Sequence, residues 1–340
     1  MAGEIGSAAG TSATAAPIGA AGRTSIAAVS QTACRPGLVS VRVPAKLNLQ
    51  LLVGPLRADG YHEIATVFHA LELFDVLSAA PAESLQVSMR GAESAGLPTG
   101  RANLAWRAAE LLAQHAGVPA RVQLTIDKHI PVAGGLAGGS ADAAAALLAC
   151  DRLWGLGLPA GELLALAGRL GSDVAFALVG GSAVGAGRGE RLRPVEGGAR
   201  FHWVLAVSHD GLSTPAVYAE LDRQRGPELA RTAPDPADAL ASSGLVEAVV
   251  SGDPELLAGR LVNDLQPAAI TLAPYLADTL AAGRKCGALA GIVSGSGPTC
   301  AFLARDQAHA AELARELAAS GACRKTYPVA GGSARATVVA

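Results

Sequence analysis

The chain has 340 residues, half of them hydrophobic and 16% charged, enough to bury the cores of two domains without disulfides; with aromatics at 4%, those cores must be mostly Ala, Val and Leu. The net charge of −2, with no basic block or aromatic-interleaved basic stripe, argues against nucleic acid as a partner, and no apolar run reaches the ~18–20 residues of a membrane-spanning helix. The five cysteines (Cys34, Cys150, Cys286, Cys300, Cys323) are odd in number and lack CxxC or Cys/His spacing, which points to a soluble protein of the reducing cytoplasm and to neither a disulfide framework nor a zinc site.

Residues 1–38 are rich in Ala, Ser, Gly and Thr without apolar periodicity and read as a disordered extension. They lack the basic start and apolar core of a secretory signal, although Glu4 as the single acid leaves a transit peptide open. From Leu38, LVSVRVPAKLNLQLLVG alternates as a half-buried strand pair would, with Leu47, Leu49 and Leu51 on one side. Lys46, Asn48 and Gln50 then share the other face, either as a solvated surface or as a charge and an amide presented together.

Asn103 has the character of a cap for a helix reaching about His115, and VQLTID (122–127) alternates as a strand. The stretch IPVAGGLAGGSADAAAA (130–146) packs four glycines into six positions immediately before a helix-forming run, Ser140 to Trp154. A helix at 160–170 ends on Gly171, and 180–192 is Gly-punctuated hairpin material followed by a strand at 202–208. Helical segments then dominate, at roughly 214–222, 236–249, 254–264 and 272–285, before a strand, tight glycine turn and strand (291–304) and a helix at 306–319. Strands and helices mix without strict βαβ alternation, so the expected class is α+β with two domains, 39–205 and 206–328, and a flexible tail at 329–340.

A glycine-rich loop can turn successive N–H groups inward and approach phosphate oxygens without side-chain obstruction, and a helix beginning at its end adds about half a positive charge there. The alternative is a purely structural glycine loop. Gly134 and Gly139 have Walker spacing, but Ser140 stands where that motif needs lysine, and no GxGxxG is present. Phosphoryl transfer through such a loop must take its cation from elsewhere and needs a group to orient or deprotonate the acceptor hydroxyl. Lys46 is the candidate cation; Asp173, between Gly171 and the apolar VAFAL, is the candidate acid, with a helix cap as its plain alternative.

Four stretches, VPAKLNLQL (43–51), DGYH (59–62), IPVAGGLAGGSADAA (130–144) with LGSDVAF (170–176), and SGSGPT (294–299), together resemble the GHMP kinase superfamily and, within it, the kinases of 4-diphosphocytidyl-2-C-methyl-D-erythritol. The resemblance spans about residues 39–328. It implies a ribosomal-protein-S5-like N-terminal domain and a ferredoxin-like C-terminal domain with the active site between them. The implied reaction is transfer of the ATP γ-phosphate to the 2-hydroxyl of that cytidine-diphosphate-linked methylerythritol, with Mg2+, on the methylerythritol phosphate route to isoprenoid precursors, by a monomer or homodimer.

By the same resemblance Lys46 and Asp173 are the catalytic pair. Asn48, Tyr61, His62, Thr214 and Tyr218 face the acceptor, with His62 reading the cytosine edge, Tyr61 stacking on its ring and Tyr218 standing where Phe is usual. The ATP cradle falls on Ala133, Gly134, Gly135, Leu136, Ala137, Gly138, Gly139, Ser140 and Ala141, with Ser140 offering its hydroxyl to Mg2+. Asn103, Lys128 and Asp142 fall near the nucleotide, where a helix cap, a surface lysine and a first-turn acid are the plain alternatives. Ala133, Ala137 and Ala141 replace Gly, Gly and Ser of the usual loop; an alanine is tolerable there only where φ is negative. SGSGPT is expected to shape the cleft, and Asn263 and Asp264 to cap. The competing readings are another GHMP small-molecule kinase and a non-catalytic ATP-binding sensor.

Overall fold

The computed structural model describes residues 37–132, 134–232 and 235–339, so the expected extension, apart from its last two residues, and Ala133 of the glycine loop lie outside the described residues. The first half contains β1 (Val39–Leu56), β2 (His62–Pro81), β3 (Gln86–Arg90), α1 (Leu104–Ala116), β4 (Val122–Asp127), α2 (Gly138–Leu153), α3 (Ala160–Leu170), α4 (Ser172–Val179), β5 (Ser182–Gly187) and β6 (Arg191–Pro194). The second contains β7 (Phe201–Val207), α5 (Thr214–Thr232), α6 (Pro236–Ala241), α7 (Leu245–Ser251), α8 (Pro254–Ala258), β8 (Val262–Asn263), α9 (Gln266–Leu272), α10 (Tyr275–Lys285), β9 (Ala290–Val293), β10 (Cys300–Ala304), α11 (Gln307–Ala319), β11 (Lys325–Gly331) and β12 (Thr337–Val338).

The expected strand pair at 38–54 is instead a single strand, β1, whose antiparallel partner is β2. The sequence of β2, HEIATVFHALELFDVLSAAP, is apolar on both faces and shows no clean period of two. A bulge in β1 between Asn48 and Gln50 changes which core the strand serves. Leu47 and Leu49 enter the first core, whereas Leu51 and Val53 enter the second, so Leu51 parts from the two leucines with which strict alternation grouped it.

The main sheet runs β12-β1-β2-β11-β7-β10-β9, with β3, β4, β5, β6 and β8 branching from it. α2 packs on α1, α4, β1 and β2, an approach made possible by the small side chains of Ala141 and Ala143 to Ala146, all buried. In the second half alternation is clean. Trp203, Leu205, Ala301 and Leu303 point to the first core, and Val204, Ala206, Cys300 and Phe302 to the second, so this part of the sheet is buried on both faces. Because β7 pairs with β10 and β11, the domain change expected at 205 falls inside a strand of the second half.

Two expected helices divide. The 236–249 helix breaks into α6 and α7 where Gly244 takes φ 68°, and the 254–264 helix stops at α8 so that β8 can pair in parallel with β1 at Gln50 and Leu51. The expected flexible tail is ordered. β12 registers Val338 against Val41, the Gly181 amide donates to the Ala334 carbonyl at 2.7 Å, and Ala334, Ala336 and Val338 are buried. The cause is an edge of β1 that would otherwise expose its polar backbone. Removing residues 333–340 should therefore cost about 2–4 kcal/mol of stability from lost apolar burial and backbone bonds; urea denaturation would read it, and an unchanged midpoint would make the tail dispensable.

Candidate active site

A cleft of about 800 Å³ lies between the two halves, with the glycine loop along one wall and Lys46 and Asn48 of β1 at its floor. The loop is held by the SGSGPT turn. Ser294 Oγ donates to the Gly135 carbonyl at 3.0 Å and the Thr299 amide to the Gly134 carbonyl at 3.3 Å. Gly135 has φ +72°, and a Cβ there would overlap the Ser294 carbonyl oxygen, so the close approach requires glycine. The turn is itself clamped by Asn263, whose Nδ2 donates to the carbonyls of Val293 (2.8 Å) and Gly295 (2.7 Å) while Oδ1 caps the Leu265 amide. Asp264 accepts from the Val53 amide and from Arg225, a brace between β1 and α5.

α2 begins directly at the loop, with Ala137 as its N-cap and no side chain bonded to its first amides. The N–H groups of Gly138, Gly139 and Ser140 have no intrahelical acceptor and open onto the cleft. Gly134, Gly135, Ala137 and Ser140 also line it. Leu136 and Ala141 do not: both side chains are buried in the first core, and the Ala141 amide is spent on the Ala137 carbonyl.

Lys46 is buried, contrary to a solvated-face reading, and its ammonium donates to Asn48 Oδ1 (2.7 Å) and the Gly135 carbonyl (2.8 Å). Its third proton is free to turn toward Asp173, whose Oδ2 lies 3.8 Å away. Burial lowers the Lys46 pKa, and the Asp173 carboxylate opposes that shift. Asp173 sits in the first turn of α4 yet bonds no backbone amide there, so it is not a cap; its carboxylate, 34% exposed, faces the cleft. Asn48 is fixed by donating to Thr66 Oγ1 (2.8 Å), which in turn donates to the Gln50 carbonyl (2.6 Å).

At the far end Tyr61, 57% exposed, and Tyr218 line the cleft. Thr214 also lines it and is within 2.7 Å of the Ser296 hydroxyl, joining α5 to the SGSGPT turn. Burial, and after it the Asp173 charge, push the Tyr218 phenol up, which keeps it a donor. The His62 ring is stacked on Tyr218 at 5.2 Å and 25°, with Nε2 at 2.9 Å from Asp222 Oδ1, and its Nδ1 bonds no other described residue. Arg188 and Asp222 had no motif in the sequence to mark them, whereas Ser296 belongs to the SGSGPT turn expected to shape the cleft.

Profiles of the GHMP kinase N-terminal and C-terminal domains match residues 103–181 and 245–323. A 4-diphosphocytidyl-2-C-methyl-D-erythritol kinase of Streptomyces avermitilis is 56% identical over 286 residues, covering 84% of this chain and 94% of its own. One from Mycolicibacterium smegmatis is 54% identical over 300 residues, covering 87% and 90%. The chain belongs to this family of GHMP kinases. A crystal structure of 4-(cytidine 5'-diphospho)-2C-methyl-D-erythritol kinase superposes with a TM-score of 0.68 at 33% identity, over 86% of this chain and all of that one. Homoserine kinase from Cytophaga hutchinsonii reaches the same TM-score of 0.68 at 18% identity, a likeness of fold alone. The two-domain α+β GHMP fold expected from the motifs is the fold observed.

Two further features shape the loop region of this GHMP kinase. Ala137 has φ 60° and ψ 31°, a left-handed conformation that costs an L-residue about 1–2 kcal/mol. Lys128 is fully buried and no surface lysine: its Nζ donates to Asp75 and, at 2.7 Å, to Asp142. Asp142 lies beyond the first turn of α2, and burial pushes its carboxyl up to about 7 against the pull of Lys128. Burial alone would lower the Lys128 pKa, but the two carboxylates outweigh it and raise it. Asn103 caps α1, accepting from the amides of Ala105 and Trp106 and donating to the Pro98 carbonyl, so its amide is already engaged where it meets the cleft.

Breaking a buried ion pair leaves an uncompensated charge, so Lys128→Met should cost about 3–5 kcal/mol. Asp142→Asn, which leaves Asp75 to hold the ammonium, should cost far less. Denaturant unfolding of both variants decides it: a fully stable Lys128→Met protein that merely loses ATP would make Lys128 a nucleotide ligand and nothing more.

Proposed function

We propose that this kinase transfers the γ-phosphate of ATP to the 2-hydroxyl of 4-diphosphocytidyl-2-C-methyl-D-erythritol, as the family's name for its relatives suggests, in the isoprenoid-precursor pathway and in the cytoplasm. The observation that carries the reading is the placement of the Lys46–Asp173 pair, 3.8 Å apart, between the glycine loop and the Tyr61–Tyr218 end of one cleft. ATP phosphates lie against the open amides of Gly138, Gly139 and Ser140, where the α2 dipole favours negative charge.

The acceptor's cytosine is held against Tyr61 and Tyr218, flat aromatic surfaces suited to a pyrimidine. His62, stacked on Tyr218 and bonded through Nε2 to Asp222, supports this pocket and keeps Nδ1 for the base edge. Its methylerythritol end then reaches Asn48 and Asp173. Asp173 accepts or orients the hydroxyl proton, and Lys46 counters charge on the phosphoryl oxygens.

No cluster of three His, Cys, Asp or Glu side chains suited to a metal occurs among the described residues. Mg2+ is commonly carried by substrate phosphates with one or two protein ligands. Ser140, half-exposed in the cleft, is the residue placed to hold it; bound there, the ion neutralises phosphate charge.

Asp173→Asn should lower kcat ~10²–10⁴-fold while leaving ATP dissociation within about twofold, because only the proton acceptor is lost. Acceptor-dependent ADP release, measured beside nucleotide titration, tests this, and near-parental turnover would remove Asp173 from the chemistry. Absence of any acceptor-dependent turnover in the parent protein would overturn the substrate assignment itself.

A further inference from the structure

The contacts of α5 run along one stripe of the helix. Thr214, Tyr218, Asp222 and Arg225 recur at steps of four, four and three, which places them on one side of it. Thr214 and Tyr218 line the cleft, whereas Asp222 and Arg225 lie outside it. Three of the four are bonded to other parts of the chain. Thr214 meets the Ser296 hydroxyl at 2.7 Å, Asp222 meets His62 Nε2 at 2.9 Å, and Arg225 reaches β1.

The Arg225 contact is the most elaborate of the three. Its Nη1 donates to the Val53 carbonyl at 2.7 Å and its Nη2 to Asp264 Oδ2 at 3.0 Å, while the same carboxylate oxygen accepts from the Val53 amide at 2.9 Å. β8 reaches β1 at Gln50 and Leu51 and stops short of Val53, so Arg225 and Asp264 together take up the two backbone groups that a longer β8 would have paired. The Arg225 side chain is only 17% exposed, and the regular part of α5 ends one residue later at Gly226 (φ 74°, ψ 163°). The far end of the helix is thereby fixed to the strand that carries Lys46 and Asn48.

We propose that Arg225 is a positioning residue: it fixes the tilt of α5 against β1 and so sets how the Tyr218 ring stands relative to the Lys46–Asp173 pair. The kinetic consequence rests on the acceptor reading above, and the structural one does not. Without the guanidinium, Val217 and Leu221 still bury α5 in the second core, but apolar burial is non-directional and leaves the helix able to turn about its contact at Thr214. Tyr218 lies between the two anchors, so a shift of the far end passes to it and through the ring stack to His62. Lysine is only a partial substitute, because an ammonium cannot fork across the Val53 carbonyl and the Asp264 carboxylate as a planar guanidinium does. The amides that receive ATP belong to the glycine loop and α2, so nucleotide binding does not depend on this brace.

The test compares the parent protein with Arg225→Met, which keeps the apolar stem, and Arg225→Lys, by acceptor kinetics at saturating ATP, ATP titration, and NMR of the His62 ring protons, assigned by their loss in His62→Gln. Arg225→Met should raise the acceptor KM on the order of 10-fold, the weight of a charged hydrogen bond, with kcat and ATP dissociation each within about threefold of the parent. Its His62 signals should move, because the Tyr218 ring current on them changes, and Arg225→Lys should recover part of both effects. Arg225→Lys also supplies the answer if the methionine variant does not fold. Parental KM with unmoved His62 signals would overturn the inference while sparing the acceptor assignment. A parallel loss of ATP affinity, kcat and acceptor affinity would overturn it too, by reducing Arg225 to a support of the whole fold. If the parent shows no acceptor-dependent turnover, the acceptor assignment falls alone, and the His62 signals decide the inference: moved, Arg225 positions α5; unmoved, it does not.

Discussion

An ammonium group cannot be buried without acceptors, and Lys46 finds its own on three separate parts of the chain. Asn48 Oδ1 comes from its own strand, the Gly135 carbonyl from the glycine loop, and the Asp173 carboxylate from the start of α4. If any of these shifts, a desolvated charge is left under-satisfied, at a cost of several kcal/mol. The geometry of the Lys46–Asp173 pair and the stability of the cleft floor are therefore set by the same contacts. That coupling explains why Thr66, Ser294 and Asn263, none of which reaches the chemistry, line up behind it: each fixes an acceptor or the turn that fixes an acceptor.

The cleft lies where one long strand passes between two cores. β1 gives Leu47 and Leu49 to the first and Leu51 and Val53 to the second, and the bulge that makes the switch lies beside Asn48. A bulge re-aims side chains without ending the strand. Lys46 and Asn48 are thus delivered to the cleft by a backbone anchored in packing on both sides. Asp264 and β8, which join the second half to the same strand, add to that anchoring.

Much of this was legible in the sequence, and the limits have physical causes. The α1 cap at Asn103, β4, α3, the turn between β9 and β10, and α11 follow local capping, alternation and glycine placement, and local rules suffice for them. β2 has both faces buried and so lacks the alternation that would mark it, while β12 is ordered by an edge of β1 that lies some 300 residues earlier in the chain. At the site, Lys46, Asp173 and the loop each kept a plain alternative when read locally, and the resemblance of four ordered motifs is what marked them together. Lys128 is different. Its burial between Asp75 and Asp142 is a tertiary fact, and nothing within a few residues of it distinguishes it from a surface lysine. The setting of the His62 ring, stacked on Tyr218, depends likewise on Asp222, 160 residues away.

Ala137 shows how the loop tolerates a residue that its local conformation disfavours. Left-handed alanine persists only where surrounding structure over-determines the backbone, and here both sides are fixed. Before it, Gly134 and Gly135 are pinned by Thr299 and Ser294 and Leu136 is buried; after it, α2 is locked by its alanine face against α1, α4, β1 and β2. The strain is therefore localised in one residue and does not redirect the amides of Gly138, Gly139 and Ser140, which belong to the helix. Rigidity of the loop comes from the elements on either side of it, so an alanine within it lowers stability while leaving the direction of the first N–H groups of α2 intact.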